Sequence, residues 1–319
     1  MNDDRIRDLL HDAVADVEPR HGVREIRART RAARTHRSWA WGAGGAVAAT
    51  AATIAAVALL GAGDRDQGPA PAVPSAAAVV PVYYLGDTGV GPRLFEEPHA
   101  GSSAGDEARD AVQQAVDGHA FDPDYRSDWP SGTRVDRVTS AADSITVDLS
   151  GPDLGGRPAS VPADAARVSL QQVVLTAQGV LREPGRPVRF TVDGSPADRL
   201  LGVVLRGPVP ASSADDVLAP VSIGTPVDMP GRDLTPLRSP VTVSGRASAF
   251  EANVQWELMR GDTVLKSGFT TARECCTLSP YSFRFTAPPG EYTLVVHEED
   301  ASGGEGTPSS MDTKRIVIG

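Results

Sequence analysis

The stretch NVQWELMRGDTVLKSGF, residues 253–269, alternates apolar and polar side chains on both sides of a central Gly-Asp pair. Val254, Trp256 and Leu258 share one face of the first run, because successive side chains of a strand point to opposite faces. Asn253–Met259 and Thr263–Phe269 are therefore predicted as strands joined by a turn. The same pattern recurs at Thr225–Met229, Val241–Ala247, Tyr281–Thr286, Tyr292–His297 and Thr313–Ile318, with Gly, Pro and Asp between the runs and no helical period among them. Short strands at this spacing each bury one face against a second sheet. Residues 219–319 thus read as an all-β immunoglobulin-like sandwich without the usual intersheet cysteine pair, with Trp256 filling the space between the sheets.

Upstream, residues 79–210 mix both kinds of element and read as an α+β domain. Val79–Leu85 (VVPVYYL) is a strand pattern, followed by a Gly-rich turn and by Arg93–Glu97. Gly105–Val116 is helical in period, with Ala108, Ala111, Val112, Ala115 and Val116 on one side. Arg134–Val138 and Ser144–Leu149 alternate as strands. Pro162–Leu181 is the strongest helix, striped by Leu170, Val173, Val174, Ala177 and Leu181, with a proline at its start where no amide is missed. Val188–Val192 closes the domain before an Asp-Gly turn.

Toward the N-terminus the character changes. Ser38–Gly63 contains no charged residue, and about 25 residues at about 1.5 Å each outreach a hydrocarbon core of about 30 Å. A single transmembrane helix over residues 38–63 is expected. Trp39 and Trp41 sit at its basic end as headgroup anchors, beside Arg34 and Arg37. The arginines place residues 1–37 in the cytoplasm and everything after Asp64 outside the cell membrane. Two alternatives compete. A soluble core helix would leave the adjoining arginines unexplained. For a cleaved signal peptide, Gly61, Ala62 and Gly63 would suit a cleavage pocket, but its apolar run is ordinarily shorter. Ile6, Leu9, Leu10, Ala13, Val14 and Val17 form an amphipathic stripe over Asp4–Val17, which calls for a partner: another copy, a cytoplasmic protein or the inner leaflet. Residues 64–78 form a Pro/Ala linker.

The net charge of −10 divides unevenly. Nine arginines against seven carboxylates give +2 before Ser38, which leaves −12 for the remainder. That sign argues against nucleic acid as a partner, since phosphate binding rests on a basic surface. Cys275 and Cys276, the only cysteines, are adjacent. Joined to each other they close a small constrained ring; otherwise they are packed thiols or bridge to another chain.

The order of segments resembles a known family. Val82-Tyr83-Tyr84-Leu85, Leu94-Phe95-Glu96-Glu97, Val168–Thr176 (VSLQQVVLT) and Val188–Gly194 (VRFTVDG) resemble the GerMN domain of sporulation and spore germination proteins. Ser239–Ala247 (SPVTVSGRA), Phe250–Val254, Pro289–Leu294 and Asp312-Thr313-Lys314 resemble the immunoglobulin-like domain that often follows it. The resemblance implies an envelope or spore-membrane module to which no reaction is assigned. The N-terminal layout is loosely similar to membrane partners of extracytoplasmic-function sigma factors.

No catalytic constellation stands out. The histidines after the apolar span, His99, His119 and His297, are scattered, and no Gly-x-Ser-x-Gly elbow is present. Glu96 and Glu97 are strand neighbours and point to opposite faces, which does not suit a shared acid–base role. Glu298, Glu299 and Asp300 with Asp312 offer loose calcium ligands, but their spacing is not that of an EF-hand and a solvated loop accounts for them. Gln171 and Gln172 flank the helix stripe, one of them turned inward to bond the sheet. Aromatic residues are 5% of the chain, sparse for a stacking sugar cleft. The expectation is a non-enzymatic, membrane-anchored envelope protein without metal or cofactor, binding another protein or a wall component. The alternative is a transmembrane regulator, in which residues 1–20 hold a cytoplasmic factor such as a sigma factor.

Overall fold

Residues 79–102, 105–226, 236–299 and 309–319 are described in the structure, a computed structural model. They are mostly β with few helices. The expected membrane helix, its anchors Trp39, Trp41, Arg34 and Arg37, the Asp4–Val17 helix and the linker all lie outside the described residues. Among the described residues no helix is long and apolar enough to cross a membrane.

The chain opens with a hairpin, β1 (Val79–Thr88) against β2 (Gly91–Ala100), paired from Val79↔Ala100 to Thr88↔Gly91. Val80, Val82 and Tyr84 alternate onto one buried face, where Phe95 and Tyr125 join them. Helix α1 (Glu107–Asp117) lays Ala111, Val112, Ala115 and Val116 against this hairpin and ends at Gly118, whose left-handed backbone (φ 69°) lets its amide reach Ala115 O. Strands β3 (Arg134–Ser140) and β4 (Ile145–Ser150) pair antiparallel. Helix α2 (Ala163–Leu181) then crosses over, and β5 (Val188–Val192) returns parallel to β4. Such a return requires a long connection, which α2 supplies. Gly179 faces Pro81, where an added Cβ would stand 2.6 Å from the ring; its bareness allows α2 to lie close on β1. Short pieces follow: β6 (Ser195–Pro196), β7 (Arg199–Leu200), β8 (Val203–Val204) and a four-residue helix α3 (Ala214–Val217). The sheet order is β3-β4-β5-β6, with β7-β8 a separate ladder.

The second core lies between two sheets. One comprises β9 (Val221–Thr225), β10 (Val241–Ala247) and β13 (Ser279–Phe285), in the order β13-β10-β9. The other, ordered β12-β11-β14-β15, holds β11 (Asn253–Arg260), β12 (Thr263–Thr271), β14 (Gly290–Glu298) and β15 (Met311–Ile318). The alternation in residues 253–269 is realised: Val254, Trp256 and Leu258 are buried. Trp256 stacks on Phe283 and Phe285 of the facing sheet, centroids 4.9 and 5.7 Å away. A strand runs over Val221–Thr225 and stops where Pro226 offers no amide. Of the strand expected at Thr225–Met229, residues 227–229 lie outside the described residues.

The two cores belong to one compact unit, residues 72–319. Leu94 bridges Leu218, and the Ala219 amide donates to Leu94 O at 3.0 Å, so the end of the first domain runs directly into β9.

Candidate binding cleft and the buried ion cluster

Two arrangements concentrate polar side chains. The first is an open cleft of about 700 Å³ on the N-terminal domain. One wall is the first half of α2, where Asp164, Arg167, Val168 and Gln171 fall on one face at helical spacing. The other wall is the chain from Val203 to Pro210. Val209 is held to Val188 by reciprocal backbone bonds of 2.7 and 2.8 Å, and the Leu205 amide donates to Asp198 O at 2.8 Å. Gln171 ties the walls together: its Nε2 donates to Pro210 O at 3.1 Å and its Oε1 accepts the Ser212 amide at 2.9 Å. Between the anchored points, Arg206 and Gly207 stand exposed.

Arg93 enters the cleft from β2. Its Nη1 donates to Pro92 O at 2.9 Å, and its Nε is buried with no hydrogen-bond partner among the described residues. Shielding such a donor unpaired costs about 1–3 kcal/mol. Arg93, Arg167 and Arg206 outnumber the two cleft carboxylates, Asp164 and Asp216. Among the described residues the lining holds no histidine, cysteine or lysine, and its one hydroxyl is Ser212. This set can grip an anionic or hydrogen-bonding group over an apolar floor; it offers no nucleophile–base pair.

The second arrangement joins the two domains. Glu97, 1% exposed, accepts the amides of Phe121 (2.8 Å) and Asp122 (2.9 Å). His99 lies 3.2 Å from Glu97 Oε2 and stacks on Phe121 at 4.1 Å. Tyr84 is 3.2 Å from His99 through its hydroxyl, which donates to His119 O, and burial followed by the charge of Glu97 pushes its phenol up. These bonds fix the loop that carries Asp122 and Tyr125 to the sandwich. There Lys314 Nζ donates to Asp122 Oδ2 and, at 2.8 Å, to Tyr125 Oη, and lies 4.2 Å above the Tyr125 ring. The Tyr125 hydroxyl donates to Asp312 Oδ1 at 2.8 Å, while the Ile223 amide donates to Asp312 Oδ2 at 2.5 Å. Burial raises Asp312 to about 6 despite the neighbouring Lys314 and the hydrogen bonds it accepts. Burial likewise raises Asp122 against the pull of Lys314.

The sequence-level candidates fall as follows. Glu96 is exposed and bonds the Tyr83 hydroxyl, while Glu97 is buried, on opposite faces as the strand period requires. His99 and the His119 carbonyl meet at Tyr84, and His297 is remote in the sandwich. Gln172 does turn inward, but it donates to Ala115 O of α1 at 2.8 Å rather than to the sheet. Cys275 and Cys276 are joined to each other. Glu298 accepts the Ser310 amide, Glu299 bonds Asn253, Asp312 belongs to the ion cluster, and Asp300 lies outside the described residues. Among the described residues no three His, Cys, Asp or Glu are placed to hold a metal. Sequence reasoning missed the cleft arginines and the ion cluster. The spacing of Asp164, Arg167, Val168 and Gln171 was the one available signal.

Residues 81–198 match the family described as sporulation and spore germination, and residues 226–305 match the immunoglobulin-like domain of bacterial spore germination. The chain carries a GerMN domain followed by this immunoglobulin-like domain. Among solved structures it is similar to the first GerMN domain of the sporulation protein GerM from Bacillus subtilis, at 17% identity over 44% of this chain and 96% of that one, TM-score 0.32. The tandem GerMN domains of the same protein match at 15% identity over 66% of this chain and 62% of that one, TM-score 0.32. No curated protein matches the chain.

Proposed function

We propose that this chain is a non-enzymatic envelope protein, anchored in the cell membrane by residues 38–63, whose GerMN and immunoglobulin-like domains stand outside and bind a protein or wall component. The observation that carries the reading is the cleft: an apolar floor with three arginines against two carboxylates, and no catalytic pair beside them among the described residues. The ion cluster between the domains supports it, because it lets both present one rigid surface. The charge-free span and the arginines before it supply the anchor and its direction.

The test is site-specific photo-crosslinking from Val204, which is 55% exposed on the cleft wall, in intact cells. An adduct with an envelope protein or wall fragment is expected. Adducts absent at Val204 and equally absent at other cleft positions sink the binding reading. A reporter fused after Gly319 that is active only in the cytoplasm sinks the topology.

A further inference from the structure

Taking the cleft as the binding face proposed above, we infer that it receives an extended peptide segment of a partner protein, with one acidic side chain set on Arg93 and apolar neighbours on the floor. The guanidinium geometry argues for a carboxylate. Nη1 is spent on Pro92 O, which leaves Nε, buried and unpaired, beside Nη2 on the other edge of the same plane. Those two parallel N–H groups match the two oxygens of a carboxylate, the bidentate pairing that distinguishes Arg from Lys. The ligand would thereby satisfy a donor that the free protein leaves orphaned.

The remainder of the ligand follows from the walls. Arg206 and Gly207 make no backbone hydrogen bond among the described residues, although Leu205 and Val209 on either side are held. Before the chain bends at Gly207 and Pro208, the exposed backbone groups of Arg206 are open to pair with a second, extended chain. Val168 and Leu170 are buried beneath, with Val203 and Leu205 beside them, and take alternate apolar side chains. Asp164 and Asp216 at the exposed rim leave a surplus of one positive charge, which matches one acidic group.

The experiment uses the full-length chain and an array of capped seven-residue L-peptides, valine-rich, with Glu, Gln or Lys at the centre. The Glu peptides are expected to bind at least tenfold more tightly than their Gln counterparts, and the Lys peptides more weakly still. Arg93→Gln should level Glu and Gln while the chain still unfolds cooperatively. Arg93→Lys, which keeps the charge but not the planar fork, should recover only part of the preference. Equal binding of Glu and Gln peptides, or a preference that survives Arg93→Gln, overturns the inference. So does binding of muropeptides from digested wall with no binding of linear peptides; that result would leave the envelope-binding reading standing, which fails only with the crosslinking above.

Discussion

Lys314 on the last strand reaches across to Asp122 of the other domain, and the two side chains are 2% and 1% exposed. A lysine so fully removed from water is held by partners alone: Asp122, the Tyr125 hydroxyl and ring, and Asp312 at 3.8 Å. Replacing it strands two carboxylates in the dry junction. Lys314→Met is therefore expected to cost about 3–5 kcal/mol, the range for breaking a buried pair on one side. Adding Asp122→Asn should return much of that loss, because the uncompensated charge goes with it. Urea unfolding of the three chains measures both effects, and a Lys314→Met loss below about 1 kcal/mol would show that the cluster is not the rivet.

Asp312 gives the same junction a pH dependence. Its folded value of about 6 lies above the ordinary 3.8, because burial outweighs Lys314, the Ile223 amide and Tyr125. Below about pH 4 the carboxyl is protonated in both folded and unfolded chains. Between about pH 4 and 6 the folded chain keeps a proton that the unfolded chain has released, and stability drawn from this group is lost as pH rises. A shift of about two units is worth about 3 kcal/mol. The stability of the natural chain should accordingly fall relative to Asp312→Asn by up to about 3 kcal/mol from pH 4 to pH 7, read from urea midpoints at the two pH values. A gap that stays constant refutes it.

Glu97 organises the loop that delivers Asp122 and Tyr125. Glu97→Leu would orphan two backbone amides and remove the oxygen facing His99, a cost of about 2–5 kcal/mol. Glu96→Leu, on the exposed face of the same strand, should change stability by less than about 1 kcal/mol. Thermal unfolding distinguishes the neighbours; similar losses would mean that the strand period does not govern their roles.

What could be read in advance tracks how local the cause is. The alternation around Trp256 and the helix stripe from Leu170 to Leu181 arise from neighbours in sequence, and both appear where expected. The strand at Val221–Thr225 was not foreseen, because its run is short and only its pairing with β10 marks it. Nothing local announces the ion cluster, since Tyr125 and Lys314 are 189 positions apart. Lys314 was visible as one of two lysines, but its burial is a property of the junction. In a chain with 31 basic residues, mostly arginine, Arg93 also carries no mark of its own until the fold leaves its Nε unpaired.

Gly268 tests the packing of the sandwich most directly. It pairs with Trp256 across β11 and β12, and an added Cβ would stand 2.7 Å from the indole. The ring also stacks on Phe283 and Phe285, which hold it in place. Gly268→Ala should cost about 1–3 kcal/mol, the usual penalty for overpacking. Gly224 lies in β9 without a left-handed φ, at the bulge where the register with β10 shifts, and its added Cβ would meet Ser244 O at 3.7 Å, normal contact. Gly224→Ala should thus be neutral or gain a few tenths of a kcal/mol by restricting the unfolded chain. The indole is the cause if Trp256→Leu makes Gly268→Ala nearly free in the double variant, a coupling that a thermodynamic cycle reads out. Additive losses would place the strain in the backbone of β12 instead, and Trp256 would no longer explain why that position is bare.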